Sequence, residues 1–263
     1  MRKLLLLFSF LAFYNANSQF YEDFDALTTF PPPGWLVTDN GVGTINWDFN
    51  VPIANFQINN TNCAFMNRQN IGAGNTSQDW LIMPAISINT DDALLFLTKQ
   101  GIAGTQFTTF QIMASTGAQN DLSGYTTIAN WNEIELNPVY NQPTQMLVSL
   151  NEFAGQSTHI AFVRTYTQPT ASLSGDRWLV DNVSVGPAVH VSGTVSYSDS
   201  PDCTNGIGIP NIQVEGVGDQ QQITVFTDAD GNYTFYMPGT SATVTTELSE
   251  TISQLCRRVT ILN

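Results

Sequence analysis

Phe20-Tyr21-Glu22-Asp23-Phe24-Asp25, near the start of the chain, and Arg177-Trp178-Leu179-Val180-Asp181-Asn182-Val183-Ser184-Val185, far along it, both join apolar residues to carboxylates. They read as the first and last strands of a single two-sheet sandwich, a placement that would bring their acids together. The candidate metal set is therefore Glu22, Asp23 or Asp25 from the opening strand with Asp181 from the closing one. Hard carboxylate oxygens from neighbouring strands suit Ca2+, which takes six to eight oxygen ligands, and offer no evident catalysis. The same acids also read as a solvated sheet edge that discourages strand pairing with other chains.

Periodicity between these stretches agrees with strands. Ala93–Thr98, Thr108–Met113, Gln145–Leu150 and Thr158–Arg164 are short apolar runs bounded by Gly, Asn, Asp or Pro. In the last, Ile160 and Phe162 face one way while His159, Ala161 and Val163 face the other, the alternation of a strand with two distinct faces. No segment of similar length carries a sustained helical period with caps. The expected class is all-β.

The N-terminus addresses the compartment. Arg2 and Lys3 precede an apolar run from Leu4 to Phe13, followed by the small residues Ala16-Asn17-Ser18, the pattern of a secretory leader cleaved before Gln19. Its ten-residue run is shorter than the roughly 20 apolar residues a spanning helix needs. No later stretch is longer and more apolar, so no transmembrane segment is expected. The formal net charge is −14 at pH 7, and losing Arg2 and Lys3 would deepen it, which repels phosphate backbones and disfavours nucleic acid as a partner.

A boundary falls near Gly186-Pro187-Ala188, giving a leader over 1–18, a larger unit over 19–187 and a smaller one over 188–263. The smaller unit offers strands at Val191–Val195, Ile212–Val214, Gln222–Phe226 and Tyr233–Tyr236, the makings of a small Greek-key sandwich. It ends in Arg257-Arg258-Val259-Thr260-Ile261-Leu262-Asn263, the reading of a chain cut short within a strand. Asp230-Gly231 between two apolar runs predicts a hairpin turn with Gly231 at positive φ rather than a metal loop. Export would permit a disulfide between Cys203 and Cys256, with Cys63 left over; three thiols is the alternative.

Pro31-Pro32-Pro33-Gly34 stops the first strand, because proline lacks the ladder donor. Trp35, Trp47, Trp80 and Trp178 then read as core anchors. Trp131, in the polar setting Asn130-Trp131-Asn132-Glu133, reads equally as an anchor or as an exposed ligand-binding platform for a sugar.

Across Phe20 to Val185 the chain resembles the cleaved-adhesin or choice-of-anchor J family, a jelly-roll relative of MAM-type modules. Three blocks carry the resemblance: Tyr21–Asp25 followed by Pro32-Pro33-Gly34-Trp35; Gln78-Asp79-Trp80-Leu81-Ile82-Met83-Pro84-Ala85-Ile86; and Asp181-Asn182-Val183-Ser184-Val185. It implies a secreted jelly-roll β-sandwich of the kind found in adhesins and in non-catalytic parts of surface proteases, often exported by type IX secretion in Bacteroidetes. It also implies calcium bound between the first and last strands. The loop Thr38–Thr44 departs from the family pattern in being poorer in acids. In the smaller unit, Val191–Val195, Thr227-Asp228 and Gly231–Phe235 resemble prealbumin-like modules of the carboxypeptidase-regulatory type, which implies a spacer.

No catalytic motif stands out. His159 and His190 are the two histidines, and there is no Gly-x-Ser-x-Gly elbow, no His-Glu-x-x-His helix and no phosphate loop. The sequence therefore reads as a non-catalytic adhesion or ligand-binding module of the cell surface, with an extracellular protein or glycan as partner. The alternative is an accessory, substrate- or carbohydrate-binding region of a secreted hydrolase whose catalytic domain lies elsewhere.

Overall fold

The alternation at Ile160–Val163 is what builds the sandwich. In the computed structural model, which describes residues 19–50, 57–58, 61–197, 206–218, 221–247 and the backbone of 259–262, Ile160 and Phe162 enter the main core. Ala161 and Val163 pack on the opposite face of the same strand with Trp80, Ile82 and Tyr125. The expected leader and the expected Cys203–Cys256 bridge lie outside the described residues.

The larger unit comprises β1 (Phe20–Glu22), β2 (Leu36–Asp39), β3 (Asp48–Asn50), β4 (Cys63–Met66), β5 (Thr76–Ile82), β6 (Ile86–Ser87), β7 (Ala93–Gln100), β8 (Thr108–Ser115), β9 (Thr126–Asn132), α1 (Glu133–Leu136), β10 (Thr144–Ser149), β11 (Ser157–Thr167) and β12 (Trp178–Gly186). One sheet runs β10-β7-β12-β4-β3, with β1 added beside β12; the other runs β2-β5-β11-β8-β9, with β6 beside β11. All pairings are antiparallel. The all-β expectation holds, with α1 a single turn between β9 and β10.

Trp178 is the keystone between the sheets. Fully buried, it packs against Trp47, Phe110 and Phe162 at centroid distances of 5.4, 5.1 and 5.7 Å, and its indole N–H donates to Thr98 Oγ1 at 2.8 Å. Removing such a side chain from a core costs about 3–5 kcal/mol. Trp35, Trp47 and Trp80 are buried as expected of anchors.

The smaller unit comprises β13 (Ala188–Tyr197), β14 (Gln213–Val217), β15 (Gln222–Phe226), β16 (Asn232–Pro238), β17 (Thr243–Glu247) and β18 (Val259–Leu262), in two three-stranded sheets, β16-β13-β18 and β15-β14-β17. Gly231 takes the expected positive φ of 79°. The hairpin itself does not form: β15 pairs with β14 and β16 with β13, so the turn carries the chain from one sheet to the other. The cause is local crowding and capping. Asp228 Oδ1 accepts the N–H groups of Asp230 and Asn232, and a Cβ on Gly231 would lie 2.4 Å from Val195 O. The turn is thereby anchored beside β13.

The two units share a core. Ile58, Cys63, Leu97 and Leu179, on the outer face of the first sheet, cluster with Val191, Val214, Phe235 and Met237 of the smaller unit. Gln145 Nε2 donates to Tyr236 O and Tyr236 N donates to Gln145 Oε1, both at 2.7 Å, so a side-chain amide extends the hydrogen bonding across the junction.

Candidate acidic site at the meeting of the first and last strands

β1 lies antiparallel to β12, with Phe20 opposite Val185, Tyr21 opposite Ser184 and Glu22 opposite Val183. Beyond Glu22 the chain turns sharply: Phe24, at φ 58°, sends its ring into the core against Phe30 and Trp35. A left-handed backbone at a bulky residue costs on the order of 1–3 kcal/mol and persists only where packing enforces it. Carboxylates stabilise the turn, since Glu22 Oε1 accepts Phe24 N–H and Asp23 Oδ1 accepts Asp25 N–H.

Asp181 reaches the same patch from β12. A bulge follows it, with the register shifting between Asp181 and Ser184 and Asn182 at φ 49°. Asp181 Oδ1 accepts the Asn182 N–H at 2.8 Å and Oδ2 accepts from Thr61 Oγ1 at 3.3 Å. Asp25 is tied to the same loop, accepting Asn62 N–H at 3.1 Å.

Electrostatics record the gathering. Burial pushes the Tyr21 phenol far up, helped by Asp23, Asp181, Asp25 and Glu22, so one ring senses all four acids. Asp181, 1% exposed, is pushed up to about 8 by burial, then by Asp25 and Asp23, with no basic side chain among its causes. Burial also raises Glu22 and Asp25. Neighbouring Cys63 is pushed up to about 12, chiefly by burial and then by Asp181. Among the described residues no three His, Cys, Asp or Glu side chains converge closely enough to hold an ion by themselves.

Trp131, the other expected site residue, is half-buried at the sandwich rim. Its ring packs edge-on against Phe96 of the facing sheet at 6.4 Å, the placement of an anchor. His159 and His190 are engaged structurally: His159 Nδ1 lies 3.0 Å from Met83 O, and His190 Nε2 lies 2.9 Å from Thr234 Oγ1.

Sequence reading misses a second polar region, inside the sandwich. Arg164, 1% exposed, donates from Nη1 to Asp79 Oδ2 at 3.0 Å and from Nε to Asp176 O at 2.8 Å. Burial pushes Asp79 up and Arg164 down, while each favours the other's charge. Asp176 is pushed up to about 7 by burial, with Glu133 adding to the shift. Arg164 sits on the apolar face of β11 two residues after Phe162, and a charge in phase with core positions is the available signal.

No family model matches the chain, and no curated relative does. Among solved structures the chain is similar to the K1 cleaved adhesin domain of Lys-gingipain from Porphyromonas gingivalis, at 20% identity over 64% of this chain and 97% of that one, TM-score 0.50. The K3 domain of Lys-gingipain aligns at 17% identity over 65% and 99%, TM-score 0.46. The CBM22-1 xylan-binding domain of Paenibacillus barcinonensis Xyn10C aligns at 12% over 65% and 94%, TM-score 0.39. At this identity the K1 likeness speaks for the fold: a β-sandwich of cleaved-adhesin type.

Proposed function

We propose that the chain is a non-catalytic extracellular binding module, stabilised by a calcium ion where β1 meets β12. The supporting observation is a buried carboxylate, Asp181, with Asp23 and Asp25 beside it and, among the described residues, no salt bridge to it. The carboxylate and hydroxyl oxygens gathered there suit a hard cation, while the neighbouring Cys63 thiol, pushed up to about 12 chiefly by burial, keeps its proton. Asp181 would hold the ion from β12 with backbone oxygens and Thr61 beside it, and Asp23 and Asp25, which do not yet converge on it, would close on the ion as it binds. Calcium would neutralise the patch and fasten the opening strand and the loop at Thr61 and Asn62 to β12.

Docking of the smaller unit covers the outer face of the first sheet at Leu97 and Leu179. The outer face of the second sheet remains as the contact surface. It presents Gln111 between Thr165 and Thr127, joined by hydrogen bonds of 3.0 and 3.5 Å. Amide and hydroxyl side chains pair with sugar hydroxyls, so a glycan is the partner this face fits best. The expected leader places the encounter outside the cell.

Thermal melting of the mature protein with calcium and with chelator tests the ion. A ligand that binds only the folded state must raise its stability by mass action. Calcium is expected to raise the melting temperature, by several degrees less in Asp181→Asn than in the unaltered protein. Superimposable curves would remove the metal, and an empty glycan array would remove the sugar.

A further inference from the structure

An open groove of about 530 Å³ lies on the smaller unit, lined by Ser192 and Thr194 of β13, Asn232 and Thr234 of β16, Phe226 at the end of β15 and Asp228 in the turn that follows. Strand pairing gathers the first four. Ser192 lies opposite Thr234 and Thr194 opposite Asn232, and because Val191, Val195, Tyr233 and Phe235 turn inward, these short polar side chains share the outer face. Phe226 joins them from the other sheet. It is 62% exposed, more than any other large apolar side chain among the described residues, and belongs to none of the apolar clusters.

The polar groups are held in place by one another and by the backbone. Thr194 Oγ1 donates to Asn232 Oδ1 at 2.7 Å, which occupies the amide oxygen and leaves Nδ2 with two hydrogens to offer. His190 Nε2 lies 2.9 Å from Thr234 Oγ1, with its own ring packed on Tyr236 at 4.9 Å, so the hydroxyl is fixed from the same face. Asp228 Oδ1 accepts the N–H groups of Asp230 and Asn232, both at 2.9 Å, which orients the carboxylate and leaves Oδ2 as an acceptor.

This lining narrows the ligand. An anion would meet the Asp228 carboxylate and no Lys, Arg or His, on a chain of formal charge −14. A divalent cation would find a single carboxylate. A wholly apolar partner would bury hydroxyls and an amide unpaired. A neutral sugar suits both halves of the groove, since its C–H face lies on an aromatic ring and its hydroxyls pair with amide, hydroxyl and carboxylate groups. The volume falls within the roughly 300–1,000 Å³ of small-ligand sites. We propose that the groove binds an uncharged sugar residue of an extracellular glycan, with Phe226 as the stacking platform and Asn232, Asp228 and Thr234 as hydroxyl partners. The smaller unit, which resembles a spacer, then carries a binding site of its own. It is separate from the Gln111 face of the larger unit and does not rest on it.

Binding of the whole mature chain to an immobilised panel of neutral hexose, pentose and N-acetylhexosamine oligosaccharides, with oligogalacturonate as the acidic control, tests the groove. A neutral glycan should bind, and Phe226→Leu, apolar without a ring face, should weaken that binding at least tenfold while Phe226→Trp keeps it. Thr194→Val releases the Asn232 amide and should weaken binding several-fold; Gln111→Ala should leave it unchanged. Because Phe226 is exposed, its variants should melt with the unaltered protein, and where Phe226→Leu does not fold, Thr194→Val decides. Equal binding by Phe226→Leu and the unaltered protein, a preference for oligogalacturonate, or no neutral ligand at all would overturn the inference. Binding that Gln111→Ala abolishes and Phe226→Leu leaves intact would overturn it too while upholding the larger unit as the sugar-binding face.

Discussion

Asp79 and Asp181 are both buried aspartates on strands of the same sandwich, and they are treated differently. Asp79 faces a guanidinium supplied by the neighbouring strand, in register, since Arg164 is its ladder partner on β11. Asp181 sits at a bulge on the opposite sheet, held by one backbone N–H and one hydroxyl, with two further acids close by. A buried carboxylate must be neutralised by a partner or by a proton. In the sheet interior the chain carries its own cation. At the bulge it leaves the choice to the medium, to protons at low pH or to a dissolved ion.

That difference is most exposed by pH. Burial pushes Asp181 up to about 8 and Asp176 up to about 7 in the folded chain, from 3.8 for an ordinary aspartate. Between those values the folded state binds more protons than the unfolded one, so stability falls as pH rises. The contribution is complete below the unfolded value and lost as pH passes the folded one. In chelator the melting temperature should therefore fall from pH 4 to pH 8, because a carboxyl that holds its proton one pH unit longer in the folded chain loses about 1.4 kcal/mol on ionising. With calcium seated on the carboxylate form as proposed, millimolar calcium should flatten the upper half of that curve. A melting temperature that climbs with pH in chelator would break the contrast between the two aspartates.

Removing the internal cation is the next largest perturbation. Arg164→Met leaves Asp79 buried without its partner and should cost about 3–5 kcal/mol in urea unfolding at neutral pH. Arg164→Met with Asp79→Leu should recover most of that loss, because an apolar pair of similar volume replaces a buried ion pair at little cost. Asp181→Asn in chelator should cost far less than Arg164→Met, since nothing positive is orphaned. Equal losses would mean that Asp181 has a cation of its own.

Legibility in the sequence follows the same line between local and distant causes. Strand periods show β7, β8, β10 and β11, and the Ile160–Val163 alternation shows both of its faces, because side-chain direction in a strand depends only on position along it. The Tyr21–Asp25 and Asp181 stretches are legible as neighbours, and the structure pairs them. The partner of Arg164 and the sheet switch at Gly231 are not, since each depends on residues far apart in sequence. The smaller unit reads as a spacer, yet it shares a core with the larger one through Leu97 and Leu179, contacts that neither segment announces. Gln145→Ala removes both bonds to Tyr236 and should cost about 1–2 kcal/mol. Differential scanning calorimetry would show whether the two units still melt as one.

α1 carries a local signal of its own, which the surrounding strand pattern hides. Asn132-Glu133-Ile134-Glu135 forms a capping box: Asn132 Oδ1 accepts the N–H groups of Ile134 and Glu135, both at 3.0 Å, and Glu135 Oε2 accepts Asn132 N–H at 2.9 Å. Four residues form too short a helix to persist on propensity, so the box sets where Glu133 enters the interior. Asn132→Ala should cost about 1 kcal/mol, and Asn132→Asp much less, because aspartate caps as well as asparagine. If the box positions Glu133, Asn132→Ala should also speed hydrogen exchange at the Gln106 and Thr108 N–H groups that Glu133 accepts. Unchanged exchange there would assign the positioning to β8 and the loop before it, whose N–H groups hold Glu133 without help from the box.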